Sequence, residues 1–156
     1  MIPMDLLKKQ HKDVKNLFKK VEKASGGTTR RQLLDEIRMK LDAHTTIEEE
    51  LFYPAVRALD TKKAKEMIAE AYEEHHVVKL VLQELPELDV EDEQFEAKMT
   101  VLSELVEHHV EEEEKEMFKA AQRIGAEELE DLGERMEARF EELAGQGEGE
   151  RRRRAA

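Results

Sequence analysis

Residues Ile37–Leu59 read IRMKLDAHTTIEEELFYPAVRAL, and 65 residues further on Leu102–Ile124 read LSELVEHHVEEEEKEMFKAAQRI. Aligned, they pair Ile37 with Leu102, Leu41 with Val106, His44 with His109, Glu48 with Glu113, Phe52 with Met117, Ala55 with Ala120 and Leu59 with Ile124. Successive pairs fall three or four residues apart, which is the spacing of one face of an α-helix. A companion repeat, at an offset of 64, sets Met4–Val21 against Ile68–Leu85 and matches Leu7 with Ala71, His11 with His75, Val14 with Val78 and Phe18 with Leu82. Each half of the chain therefore carries one histidine on an apolar helical stripe and one His-x-x-x-Glu set on another.

The composition agrees with a helical reading. In 156 residues there are three Pro, two Tyr and no Trp, with 39% apolar and 41% charged side chains, which suits one small helical domain and leaves no convincing strand. A net charge of −12 repels a phosphate backbone or an anionic membrane surface, so neither nucleic acid nor membrane is expected as a partner. The one basic run, Arg151–Arg154, reads as a solvated end. The absence of Cys excludes disulfides, iron–sulfur clusters and thiolate zinc, so any metal must be held by nitrogen and oxygen. The stretch MIPMDLLKK has no apolar signal region and no apolar run approaches the ~18 residues that span a bilayer, so the expected location is the cytoplasm.

Punctuation divides the chain into five helices. The first is expected from about Met4 to Ala24, closed by Ser25-Gly26-Gly27, and the second starts from a Thr29/Gln32 capping box. Pro54 should loosen the end of the second helix, since its ring donates no hydrogen bond and crowds the preceding turn. Asp60-Thr61 turns the chain into the third helix, which Pro86 stops, and Gly125 closes the fourth. The expectation is an all-α, up-down-up-down antiparallel four-helix bundle over 1–125. An accessory helix over 126–144, with the narrow seam Leu129, Leu132, Met136, Phe140 and Leu143, should pack outside it, and 145–156 should be a disordered tail.

In such a bundle His11, His44, His75 and His109 reach one central layer. A histidine and a glutamate one helical turn apart can serve one ion or bridge two, and Glu48 and Glu113 would be costly in an apolar stripe without cations. One such set proves little, but two in register, with two further stripe histidines, favour a two-metal site over ordinary core histidines. His75 is preferred to His76 because its row continues through Val78, Leu82 and Leu85. His109 with Glu113 is preferred to His108 with Glu112 because the latter row continues to Lys115 and Lys119.

His11, His44-Thr-Thr-Ile-Glu48, His75 and His109-Val-Glu-Glu-Glu113 resemble the ligand pattern of the hemerythrin-like, HHE cation-binding family. The segments EEELFYP from Glu48 and EEKEMF from Glu113 resemble its helix-two and helix-four signatures. The resemblance implies two iron ions, oxo- or hydroxo-bridged, with Glu48 and Glu113 bridging and the four histidines as terminal ligands; Mn or Zn would accept the same donors. Oxygen carriers of this family use a fifth histidine, and here Ala71 and Lys79 stand one turn either side of His75. The open position could take water, O2, peroxide, nitric oxide or a tyrosine, Tyr72 or Tyr53, although packing roles are the simpler expectation for both. The expected function is therefore binding or sensing of O2, peroxide or nitric oxide, with redox scavenging of a peroxidase, catalase-like or NO-detoxifying kind open, and hydrolase or transferase chemistry not indicated. The alternative is an iron sensor or buffer that signals to a protein partner without turnover.

Overall fold

The computed structural model describes residues 1–155, and all of its regular structure is helical. Helix α1 (Pro3–Lys23) is followed by α2 (Gly27–Ile47), α3 (Lys62–Glu84), α4 (Glu93–Glu112) and α5 (Ala126–Ala155). Two of these do not stop where the α-helix does. From α2 the chain continues through a π-helical segment, Glu48–Phe52, into a last α turn, Tyr53–Arg57, and from α4 through a second π segment, Glu113–Met117, into Phe118–Ala121.

The first four helices form the expected up-down-up-down bundle: α1 packs on α2, the turn Tyr53–Arg57 that continues α2 packs on α3, α3 packs on α4, and α4 returns to α1. Their inward stripes make two separate apolar cores. One holds Val14, Phe18, Leu34, Ile37, Leu82, Phe95 and Leu102, the other Leu7, Ile47, Phe52, Ile68, Met117 and Phe118. Between them lies a layer of ionisable side chains, so the site interrupts the core and does not sit at its edge.

The ends of the elements follow local chemistry. Thr61 caps α3 by accepting from the Ala64 amide at 3.0 Å, and Asp92 caps α4 by accepting from the Gln94 amide at 2.9 Å. Asp60 takes a left-handed φ of 59° in the turn that leads into α3, which a short polar side chain tolerates. The Thr29 capping box does not form: α2 starts at Gly27, and its N-cap is Gly26 without a side-chain cap. Tertiary anchoring replaces it. Arg31 Nη2 donates to the Leu88 carbonyl at 2.7 Å, and a Cβ on Gly27 would come within 3.0 Å of Val90, so the α3–α4 connection sets this end.

Helix α5 departs furthest from expectation. It runs to Ala155, where the sequence suggests an end near 144 and a disordered tail; Ala156 of that tail lies outside the described residues. Its glutamates and arginines are good helix formers, and Gly147 lets it approach α2, where a Cβ would stand 2.6 Å from Met39. Nor is its apolar seam superficial, because Leu129, Leu132 and Met136 are buried in the core that contains Phe52 and Phe118.

Candidate metal centre

All six sequence-selected residues, His11, His44, Glu48, His75, His109 and Glu113, are buried and meet in the layer between the two cores. His76 is exposed and His108 has 63% of its side chain in solvent, so the register read from the stripes agrees with the geometry.

The imidazoles form two pairs. His11 and His44 meet edge to face with centroids 4.8 Å apart, and His75 and His109 do the same at 4.7 Å. Each carboxylate touches one ring of each pair. Glu48 Oε1 lies 3.1 Å from His44 Nε2 and 3.2 Å from His75 Nε2. Glu113 reaches His11 Nε2 at 3.3 Å through Oε1 and His109 Nε2 at 3.3 Å through Oε2.

Close as they are, many of these groups are not satisfied. His11 Nε2, His44 Nε2, both oxygens of Glu48 and Glu113 Oε1 are buried without a hydrogen-bond partner. Buried polar atoms are otherwise almost always paired, and an unpaired buried carboxylate costs several kcal/mol. Lone pairs that converge on a common interior point fit cations. Two overlapping groups, His11/His44/Glu48/Glu113 and Glu48/His75/His109, each have donor atoms within 4.8 Å of one another. Imidazole and carboxylate donors suit first-row divalent or trivalent ions, so the residues present fit a pair of metal ions.

An outer ring of side chains orients the imidazoles. His44 Nδ1 lies 2.7 Å from Gln10 Oε1, His75 Nδ1 3.0 Å from Glu49 Oε2 and His109 Nδ1 2.8 Å from Glu74 Oε1. His11 Nδ1 is the exception: Glu114 Oε1 stands 3.6 Å away, too far for a hydrogen bond, and Nδ1 has no partner. Donation from Nδ1 leaves the Nε2 lone pair facing the interior, the usual arrangement behind a metal-ligating histidine. Gln10, Glu49 and Glu74, which orient the rings, and the nearby Glu114 lie outside the sequence-selected set, yet the repeat contains them: Gln10 and Glu74 are related by the offset of 64, Glu49 and Glu114 by 65. Glu114, with 35% of its side chain exposed, turns one oxygen toward the site.

Tyr53 is the other addition. On an ideal helix it would face away from Glu48, but a π turn holds an extra residue and shifts everything after it by roughly 100°. Its hydroxyl donates to Glu113 Oε2 at 2.7 Å and lies 3.0 Å from His75 Nε2 and 3.2 Å from His109 Nε2. Tyr72 stays outside, 37% exposed, donating to the Glu49 carbonyl. The ordinary packing role expected for Tyr53 is thus replaced by a place at the centre. Lys79, one of the positions where a fifth histidine could have been, instead pairs with Glu49 at 2.9 Å.

Charge is concentrated here. Burial opposes ionisation of His109, but Glu113 and Glu74 outweigh it and hold its pKa well above the ordinary histidine value. Burial likewise works against a charged Glu48, and its close neighbours His44, Glu113 and His75 outweigh burial and keep it well below the usual carboxylate range. Burial, then Glu113 and Glu48, push the Tyr53 phenol well above its normal pKa.

Four helices that converge four imidazoles and two carboxylates on a buried layer define a cation-binding bundle. Residues 2–121 match the Hemerythrin HHE cation binding domain, and the chain belongs to that family. A crystal structure of an HHE domain-containing protein from Mycobacterium kansasii, a homologue of Rv2633c, has a TM-score of 0.83 and 34% identity, covering 94% of this chain and 89% of that one. Rv2633c of Mycobacterium tuberculosis and Mb2666c of Mycobacterium bovis are each 35% identical over 144 residues, 90% of this chain and 86% of theirs.

Proposed function

We propose that the chain is a non-haem di-iron protein that binds O2, peroxide or nitric oxide and turns over the reactive ones slowly. The observation that carries this reading is a cavity of about 20 Å³ against the four histidines, walled by Val14, Leu41, Val78, Val106 and Val110. It is apolar and the size of a diatomic molecule, which suits a small uncharged ligand better than an ionic substrate. Two iron ions held by the six residues would supply Lewis acidity and one-electron redox steps there.

The chain's own residues set the rest. Gln10, Glu49 and Glu74 fix the imidazoles, Glu48 and Glu113 span both pairs, and the valines keep bulk water from the open face. Tyr53 stands beside the His75/His109 pair, and its hydroxyl can hold or release a proton beside Glu113. A cation near the phenol reverses the local electrostatics that now favour its protonated form. Its oxygen is therefore a ligand or a proton donor for whatever binds, which favours scavenging or sensing over simple reversible oxygen carriage. No helix among the described residues is long and apolar enough to cross a membrane.

A second reading, iron sensing by way of a protein partner, has its own support. Arg139 of α5 holds Glu50 with two contacts, at 3.0 and 3.2 Å, inside the π segment that begins at Glu48. Metal occupancy could thus reach α5. The optical spectrum of iron-loaded protein before and after O2, peroxide and nitric oxide separates the two readings: new bands and peroxide or NO loss support the first. A spectrum indifferent to all three, with a large rise in melting temperature on iron binding, supports the second.

A further inference from the structure

The cavity against the four histidines has one thin wall. Val106 and Val110, one turn apart on α4, line this cavity and also, with His11, a surface groove of about 460 Å³ between α1 and α4. Both valines are half-buried, whereas Val14, Leu41 and Val78, which complete the cavity, are buried. Side chains in contact with solvent change rotamer readily, and close-packed ones do not.

The second opening near the centre suits an uncharged molecule less well. The crevice of about 70 Å³ between α3 and α4 shares only His109 with the cavity, and five glutamates line it. Its field draws cations and has no hold on a neutral diatomic. In the α1–α4 groove four lysines of α1 stand among four glutamates, so the charges offset one another around Phe18, Val106 and Val110.

The repeat supplies an independent argument. The counterpart of this groove lies between α3 and α2, where Leu41 and Thr45 stand at the positions of Val106 and Val110 and are only 4% and 5% exposed. There Glu49 holds His75 Nδ1 at 3.0 Å and is itself held by Lys79 at 2.9 Å, so polar contacts tie the two helical rods together. On the α1–α4 side Glu114 stops short of His11 Nδ1, and Lys15, at the position of Lys79, lines the groove. Of two equivalent seams, one is tied and the other is not.

We propose that the α1–α4 groove is the entrance by which a small uncharged ligand reaches the central cavity, with Val106 and Val110 as the gate it passes. The ligand's part in this rests on the proposed di-iron reading; the gate into the cavity does not. Passage requires the two side chains to part, so their contacts set the rate of exchange while the cavity sets the affinity.

Xenon, which enters dry apolar cavities, tests the gate on the metal-free, full-length protein, with exchange between cavity and water read by xenon NMR. Val110→Ala takes two methyl groups from the wall and should speed exchange about tenfold, and Val110→Ile should slow it by a similar factor. Two controls should stay near the parent rate: Val78→Ala, which enlarges the cavity away from the groove, and Met67→Ala, which widens the α3–α4 crevice. No xenon in the parent, equal acceleration by Val78→Ala and Val110→Ala, or acceleration by Met67→Ala alone overturns the entrance. Nitric oxide mixed with the iron-loaded proteins then tests the ligand. Its association and dissociation should both quicken in Val110→Ala with their ratio nearly kept, and unchanged rates would overturn the gate for this ligand. Failure of nitric oxide to bind the iron-loaded parent counts against the di-iron reading alone, because xenon exchange still reports the gate.

Discussion

His44 and His109 stand at equivalent positions of the repeat, and each gives Nδ1 to the residue just before the histidine of a neighbouring helix. For His44 that residue is Gln10, for His109 it is Glu74. A second difference lies one turn beyond the glutamates. Tyr53 and Phe118 are related by the offset of 65 and both follow a π turn. The Tyr53 hydroxyl enters the His75/His109 pair, whereas the Phe118 ring stacks near His11, with centroids 6.2 Å apart and planes 8° from parallel. One half thus has an amide and a phenyl ring where the other has a carboxylate and a phenol. Duplication supplied the ligands twice, and substitution around them made the halves unequal.

The inequality teaches which half holds its ion more firmly. A carboxylate behind an imidazole makes it a stronger donor than an amide does, and a phenol adds an oxygen. The His75/His109 half should therefore fill first and empty last.

The largest effect should come from emptying both halves. Since the six residues leave buried lone pairs without partners, cation binding is also folding energy. At a free metal concentration of about a thousand times Kd the gain is about 4 kcal/mol, or roughly 8–16 °C in melting temperature for a chain of this size. Calorimetry with and without iron measures it, and equal melting temperatures would contradict the fit of the site to metal.

Next in size, His109→Ala should leave one ion per chain, whereas His108→Ala should leave two. Metal analysis of both variants checks the register in α4, and the reverse result would show that the wrong histidine was chosen.

Exchanging the aromatic residues bears on the comparison itself. Tyr53→Phe removes one of its two differences. It should remove any phenolate-to-iron band from the visible spectrum, and lose about 1 kcal/mol of metal-free stability with the Glu113 hydrogen bond. An unchanged visible spectrum would mean that the phenol is a neighbour of the site and not a ligand.

Glu74→Gln imposes the Gln10 arrangement on His109. It should weaken the tighter ion by about tenfold while leaving the count at two. Titration of the metal-free variant should then show two ions closer in affinity than in the parent.

The smallest effect is a trend with pH. His11, His75 and His109 have raised values in the metal-free protein, each by its carboxylate neighbours against the opposing effect of burial. A raised pKa contributes stability that is fully present below the unfolded value near 6.5 and is lost as pH rises through the folded one. Bound cations need the neutral imidazole, so they gain affinity over the same range. The difference in melting temperature between loaded and metal-free protein should widen from about pH 6.5 upward; a gap that narrows would contradict the assignment of these histidines as ligands.

Sequence made the ligand set legible because histidine and glutamate in an apolar stripe are conspicuous, and because the repeat chose among neighbours. The helix count and antiparallel order followed from the same stripes. Tyr53 is a candidate for the open position, but ideal spacing puts it on the opposite face, since the π turn that rotates it has no signature in spacing. Pro54 hinted at a disturbance, but the second π turn, at Glu113–Met117, forms without a proline, so proline is not its cause. Both begin at the buried glutamates, where π turns often mark functional sites. The extended α5 was hidden for a different reason: residues 145–156 carry no apolar face, while the close approach at Met39 that Gly147 allows depends on tertiary placement.

The central claim is that two overlapping donor groups hold two ions, one in each unequal half. Iron per chain, measured after anaerobic loading and removal of unbound metal, tests it most directly in three proteins. The account predicts two for the parent and one each for His11→Ala and His109→Ala, with the ion retained by His11→Ala the harder to remove by chelator. A parent value well below two, or a single-histidine variant that still holds two, would contradict it.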